Sequence, residues 1–288
     1  MNRTTREAAQ RWLAEGREAI VIDVTEAQGS VPREAGTRML VSAAEAGGGA
    51  GAVGTIGGGH LELKAIARAH EMLRTRELAP HTERFALGPA LGQCCGGAVV
   101  LGHRALDAAA LAAWPTEAPR FHLQLHGAGH GGRAVATLLA TLDCRVDWFD
   151  ERDDALPATT ALGAPWPAHI HPHCIDGIDA EVHAAPAGAH YLVMTHDHDL
   201  DLRITEAVLR RGDFAYLGLI GSKTKRARFV QRFEQRGLAP EAIARLTCPI
   251  GVAGIGGKAP EIIAVAVVAQ LLQTLQQVAP DDTGRTQR

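Results

Sequence analysis

Residues 121–150 read FHLQLHGAGHGGRAVATLLATLDCRVDWFD, and the glycines within them decide the fold. Gly127, Gly129 and Gly132 form G-x-G-x-x-G. The motif follows a strand-like segment, Phe121–Leu125, and opens a helix expected over Arg133–Leu142. Twenty-three residues after Gly127, at the end of the next strand, stands Asp150. In that context the first glycine allows a tight turn, the second lets a phosphate approach the backbone, and the third lets helix and strand pack closely. The helix start then offers free N–H groups and a positive dipole end to an anion. Asp150 is placed to accept from a ribose hydroxyl. His130 makes this loop more polar than most, which leaves room for a phosphorylated ligand other than a dinucleotide.

Strands and helices alternate downstream. YLVMT (191–195) reads as a strand, Leu200–Arg211 as a helix, FAYLGLI (214–220) as a strand, Ser222–Arg236 as a helix, and Ala259–Val278 as a long apolar helix. A further strand is expected near 168–171. This alternation predicts a parallel sheet wound on both sides. Upstream the pattern differs. After a short amphipathic helix (5–15), strands at Ala19–Ala27, Thr37–Ser42 and Ala52–Ile56 are separated by tight glycine turns, and a helix runs over Leu61–Arg76. TERFAL and AVVLG add two strands. The fold class expected is α/β: a Rossmann-like doubly wound domain at 121–278, preceded by a smaller α+β domain at 1–108. An Ala- and Pro-rich linker (109–120) joins them, and residues 279–288 form a frayed tail.

Composition narrows the function classes. A net charge of −3 gives no electrostatic case for nucleic acid. No stretch approaches the roughly 18 apolar residues of a membrane span, and the start of the chain lacks a signal-peptide run. Five cysteines in no framework pattern suit the reducing cytoplasm. Two of them, Cys94 and Cys95, are adjacent in QCCGG. Neighbouring Cα atoms lie about 3.8 Å apart, too close for an ordinary disulfide. Placed on a loop between two strands, this pair has thiolates suited to a soft metal or to nucleophilic work. Two more polar glycine loops, GSVPREAGTRML and GTIGGGHLE, carry Arg33, Arg38, His60 and Glu62 and belong to the same small domain.

Other polar clusters read differently. THDHDLD (195–201) falls short of the binuclear H-x-H-x-D-H pattern, because Leu200 and Asp201 stand where Asp and His are needed. His196 is expected to serve at the crevice where this strand ends. HIHPHC (169–174) reads as a solvated loop. In GLIGSKTKRARF (218–229), Ser222 is a candidate helix N-cap. Lys223, Lys225 and Arg226 then fall in a first turn that disfavours cations, unless an anion such as a phosphate sits there.

Taken together and in order, GSVPREAGTRMLV, GTIGGGHLE, LGQCCGG, HGAGHGGRAVA, VMTHDHDLD, YLGLIGSKTKRARF and PIGVAGIGGKAPEIIAVAVVAQLL resemble the XdhC/CoxI family of xanthine dehydrogenase accessory proteins. The resemblance spans about residues 20–275, and the histidine-rich 154–189 stretch carries little of it. It implies a maturation factor, not an enzyme. Its cargo would be molybdenum cofactor (molybdopterin carrying the metal), protected while a cysteine desulfurase exchanges oxo for sulfur and then delivered to the molybdenum-binding subunit of xanthine dehydrogenase. It also implies a cytoplasmic homodimer. Cys94 and Cys95 would meet the molybdenum, and the phosphate would sit either at Gly127–Gly132 or at Ser222–Lys223. The alternative is an NAD(P)-dependent oxidoreductase using Gly127, Gly129, Gly132 and Asp150, although no proton donor stands at a defined spacing.

Overall fold

The computed structural model describes residues 2–43, 51–87, 96–115, 118–161, 163–177 and 179–276. The chain divides into two compact units, Met1–Ala118 and Pro119–Arg288.

In the first unit, α1 (Asn2–Ala14) leads into β1 (Ala19–Gln28), β2 (Arg38–Ser42), β3 (Ala52–Gly54), α2 (Gly59–Thr75), β4 (His81–Ala86), β5 (Ala98–Ala105) and α3 (Ala108–Ala112). The strands form one antiparallel sheet in the order β3-β2-β1-β5-β4. The central strand β1 is buried on both faces, and its side chains alternate between them. Ile20, Ile22 and Val24 pack with Leu61, Ala65, Ala69 and Met72 of α2. Ala19 and Val21 pack with Ala8, Ala9 and Trp12 of α1. Each fully buried Ile, Val, Leu or Met side chain among these contributes about 1.5–3 kcal/mol.

The second unit runs β6 (His122–His126), α4 (His130–Leu139), β7 (Arg145–Asp150), β8 (Ile170–Cys174), a 3-10 turn at Ala180–Ala184, β9 (His190–Val193), α5 (His198–Arg211), β10 (Tyr216–Leu219), α6 (Lys223–Gln235), α7 (Pro240–Ala244), β11 (Leu246–Thr247) and α8 (Pro260–Gln276). All six strands are parallel, in the order β11-β10-β9-β6-β7-β8. The order of strands across the sheet therefore reverses between β6 and β9, the switch point at which doubly wound sheets open a crevice. Two cores flank the sheet. Leu123, Leu125, Val146 and Trp148 pack with α4 and α8 on one face. On the other, Tyr191, Val193, Leu217 and Leu219 pack with α5, α6 and α7.

HIHPHC departs from the expected solvated loop: Ile170–Cys174 is strand β8, two residues beyond the strand expected at 168–171. It lies at the rim of the sheet and, among the described strands, pairs only with β7. Ile175 donates its N–H to the Asp150 carbonyl, so by alternation the backbone nitrogen of Pro172 faces away from β7, the one orientation a strand proline tolerates. The glycine-loop helix also starts earlier than expected, at His130, because Gly129 serves as its N-cap in extended conformation.

Candidate functional site

The glycine motif builds its turn from backbone contacts. Gly127 has φ of 112°, and a Cβ there would lie 2.3 Å from the Met194 carbonyl oxygen. A Cβ on Gly132 would lie 2.0 Å from the Gly127 carbonyl oxygen. The outer two glycines are thus required by packing against β9 and within the turn. Gly129 differs, since a Cβ there would meet nothing within 4 Å. The loop is held on all sides. Gly127 donates its N–H to the Phe149 carbonyl (2.7 Å). Trp148 Nε1 donates to the Gly127 carbonyl (3.0 Å), and Arg133 Nε to the Ala128 carbonyl (2.9 Å). No side chain caps α4, so its first-turn N–H groups remain open to an anion. His130 is exposed at that opening.

Asp150 is 2% exposed, and its carboxylate is already engaged. Oδ2 accepts from the Ala128 N–H (2.6 Å), Oδ1 accepts from the Arg152 N–H (3.0 Å), and the Arg152 guanidinium spans both oxygens. Burial opposes ionisation, but Arg152 and these backbone N–H groups outweigh it and hold the pKa below the ordinary carboxylate value. The expected ribose acceptor is therefore an internal brace of the glycine loop. Beside it stands the Arg152 side chain, which is 40% exposed. Sequence reading missed Arg152, and its only signal was adjacency to the strand-end acid.

The other two expected positions lie on the same C-terminal edge of the sheet. Asp197 caps α5 by accepting from the Leu200 N–H (2.8 Å), and His196 and His198 are exposed. Asp201, one turn on, points inward. It accepts from the Thr195 N–H (3.0 Å) and hydroxyl (2.7 Å), and pairs with Lys225 Nζ at 2.5 Å. Lys225 also donates to the Ile220 carbonyl (3.0 Å). A buried ion pair thus ties the loop after β9 to the loop after β10. Lys225, read as an anion-binding cation, is committed to Asp201. Ser222 caps α6 by accepting from the Lys225 N–H (3.2 Å), while Lys223 is exposed. Gly127–Gly132, His196 and Ser222–Lys223 therefore share one edge. Among the described residues no group of three or more His, Cys, Asp or Glu side chains converges to hold a metal ion.

In the first unit, the glycine loops meet. A Cβ on Gly57 would strike the Pro32 ring at 2.5 Å, and one on Gly97 would strike the Gln28 and Ser30 carbonyl oxygens at 2.4 and 2.6 Å. The carboxylate of Glu62 is turned into its own loop, accepting from the Thr55 hydroxyl (2.5 Å) and from the Ile56 (3.1 Å) and Gly58 (3.0 Å) N–H groups. Arg38 lies over the Trp114 ring at 5.0 Å. Cys94 and Cys95 lie outside the described residues, but Gly97, two residues on, is pinned against the 28–30 segment.

Fold and site together define a Rossmann-type domain with an uncapped glycine loop at a helix start, preceded by an antiparallel α+β domain. Residues 123–271 match the XdhC Rossmann domain, and residues 12–86 match the XdhC and CoxI family. The chain belongs to the XdhC family. It is 31% identical over 263 residues to the uncharacterized protein YqeB of Escherichia coli K12, a match covering 87% of this chain and 42% of that relative. The chain thus spans less than half the length of the curated relative it matches. A solved structure described as a xanthine dehydrogenase from Bacillus halodurans shares the fold. Its TM-score is 0.72 at 18% identity, with 97% of this chain and 98% of that one covered. Among the described residues no helix is long and apolar enough to cross a membrane.

Proposed function

We propose that this protein is an accessory factor in the maturation of xanthine dehydrogenase, binding molybdenum cofactor as cargo and passing it to the molybdenum-binding subunit. The observation that carries the reading is membership of the XdhC family, with matches in both units of the chain. The phosphate of the cargo is assigned to the start of α4, not α6. The α4 amides have no side-chain cap and Gly129 leaves open space before them, whereas Ser222 already consumes an amide of α6. Cys94 and Cys95 would face the molybdenum, since a thiolate is a soft donor suited to it. In this reading the protein performs no net reaction. It works with a cysteine desulfurase in the cytoplasm, as a homodimer.

The test is to purify the full chain anaerobically from its native cell and measure bound molybdenum. Wild-type protein should carry the metal, and the Cys94→Ala, Cys95→Ala double variant should lose most of it. Metal-free wild-type protein that still binds the dehydrogenase would sink the cargo role and leave an adaptor. The oxidoreductase alternative keeps some support from the open Gly129, although Asp150 is engaged by the loop. Fluorescence titration with reduced nicotinamide dinucleotides separates the two.

A further inference from the structure

Parallel sheets are ordinarily covered on both faces, and their inward positions are aliphatic. The second unit departs from this over β6, β7 and β8. Alternate residues facing α4 and α8 are apolar: Leu123, Leu125, Val146 and Trp148. On the opposite face, β6 presents His122 and Gln124, β7 presents Arg145 and Asp147, and β8 presents His173. These side chains line an open cavity of about 580 Å3, closed on one side by the segment that carries Glu181. That volume suits a small ligand. The cavity stands apart from the Gly127–Gly132 loop, and its chemistry is independent of the cofactor reading.

The polar groups are organised. Asp147 is 9% exposed, and its Oδ2 lies 2.5 Å from His122 Nε2. Arg145 (3.4 Å) and His173 (3.5 Å) flank its Oδ1. Burial disfavours the Asp147 carboxylate, but the bond from His122 and the charge of Arg145 outweigh it and hold its pKa low. An ionised Asp147 can only accept, so His122 Nε2 carries the proton of that bond, and in the neutral imidazole Nδ1 is the acceptor, the arrangement in which a carboxylate orients a histidine base. Arg145 has a half-exposed side chain and spare N–H donors. Phe149 and His173 stack at 5.0 Å and form an aromatic wall. The lining sets one guanidinium, that of Arg145, against the carboxylates of Asp147 and Glu181, so an anion is disfavoured.

We propose that this cavity binds a neutral, planar cyclic amide, in which a ring N–H donates to His122 Nδ1 and the adjacent carbonyl accepts from Arg145. The test titrates the full chain calorimetrically with uracil and hypoxanthine as probes, and with 1,3-dimethyluracil as the analogue lacking the N–H. At least one of the first two should bind with a dissociation constant at or below about 1 mM, and the dimethyl analogue should not. Arg145→Met, at a half-exposed side chain, and His122→Asn should each weaken binding by about tenfold or more. If His122→Asn does not fold, Arg145→Met alone decides. No binding of either probe up to about 5 mM, equal binding of the dimethyl analogue, or less than about tenfold weakening in a folded variant overturns the assignment.

Discussion

The three motif glycines are three different physical problems. Gly127 combines a left-handed φ with a carbonyl 2.3 Å from where a Cβ would stand, and Gly132 meets one at 2.0 Å. Both contacts are backbone, so neither can yield by a side-chain rotation. Gly127→Ala and Gly132→Ala should each cost about 3 kcal/mol or more in urea unfolding. Gly129 has φ of −67° and open space, so Gly129→Ala should stay within about 1 kcal/mol of wild type while weakening binding of the proposed phosphorylated cargo. Spacing alone made the motif legible, because turn, approach and packing each fix a position along the chain. The fate of Asp150 was not legible. Its brace depends on Arg152 folding back over two residues and on the Ala128 N–H pointing at it, and no periodicity encodes either.

At the scale of elements, the strand ends are held in register by one buried pair. Asp201 and Lys225 have side chains 2% and 12% exposed and join the starts of α5 and α6. Removing one partner leaves a buried charge uncompensated, so Lys225→Met should destabilise the protein by about 3–5 kcal/mol in denaturant titration. Lys223→Met, two residues earlier and exposed, should change stability by less than about 0.5 kcal/mol. An equal effect of both would show that the pair is not what couples the loops. Sequence marked the Ser222 cap and the cluster of cations, since both are local. It could not assign Lys225 to Asp201, because that contact spans 24 residues and arises only when β9 and β10 lie side by side. The same limit explains β8. A strand is expected near 168–171, but histidines and a proline give no apolar run to carry it on to Cys174.

For the whole molecule, acid stability follows from histidines buried without charge. Burial depresses the pKa of His126 to about 3, and burial is also the main cause that depresses His103 and His190 to about 4. The unfolded chain titrates near the ordinary value of 6.5. Above that value all three are neutral in both states. As pH falls below it, the unfolded state takes up protons that the folded state refuses, so stability is lost from about pH 6.5 down to 4 for His103 and His190 and on to about 3 for His126. Asp147 and Asp150, whose folded pKa values are depressed, extend the loss only below about pH 4. Thermal unfolding between pH 7 and 4 should show a falling midpoint, and His190→Gln should flatten part of that fall. A midpoint independent of pH across this window would contradict the neutral burial of these rings.

The outward nitrogen of Pro172 has a bearing on how the molecule behaves in a crowd. The rim of a sheet is an invitation for a stranger's backbone to add on and begin a fibril. A residue with no hydrogen to donate, set at the middle of β8, removes one rung from any such ladder. Pro172→Val would restore that rung, and with it a propensity to self-associate.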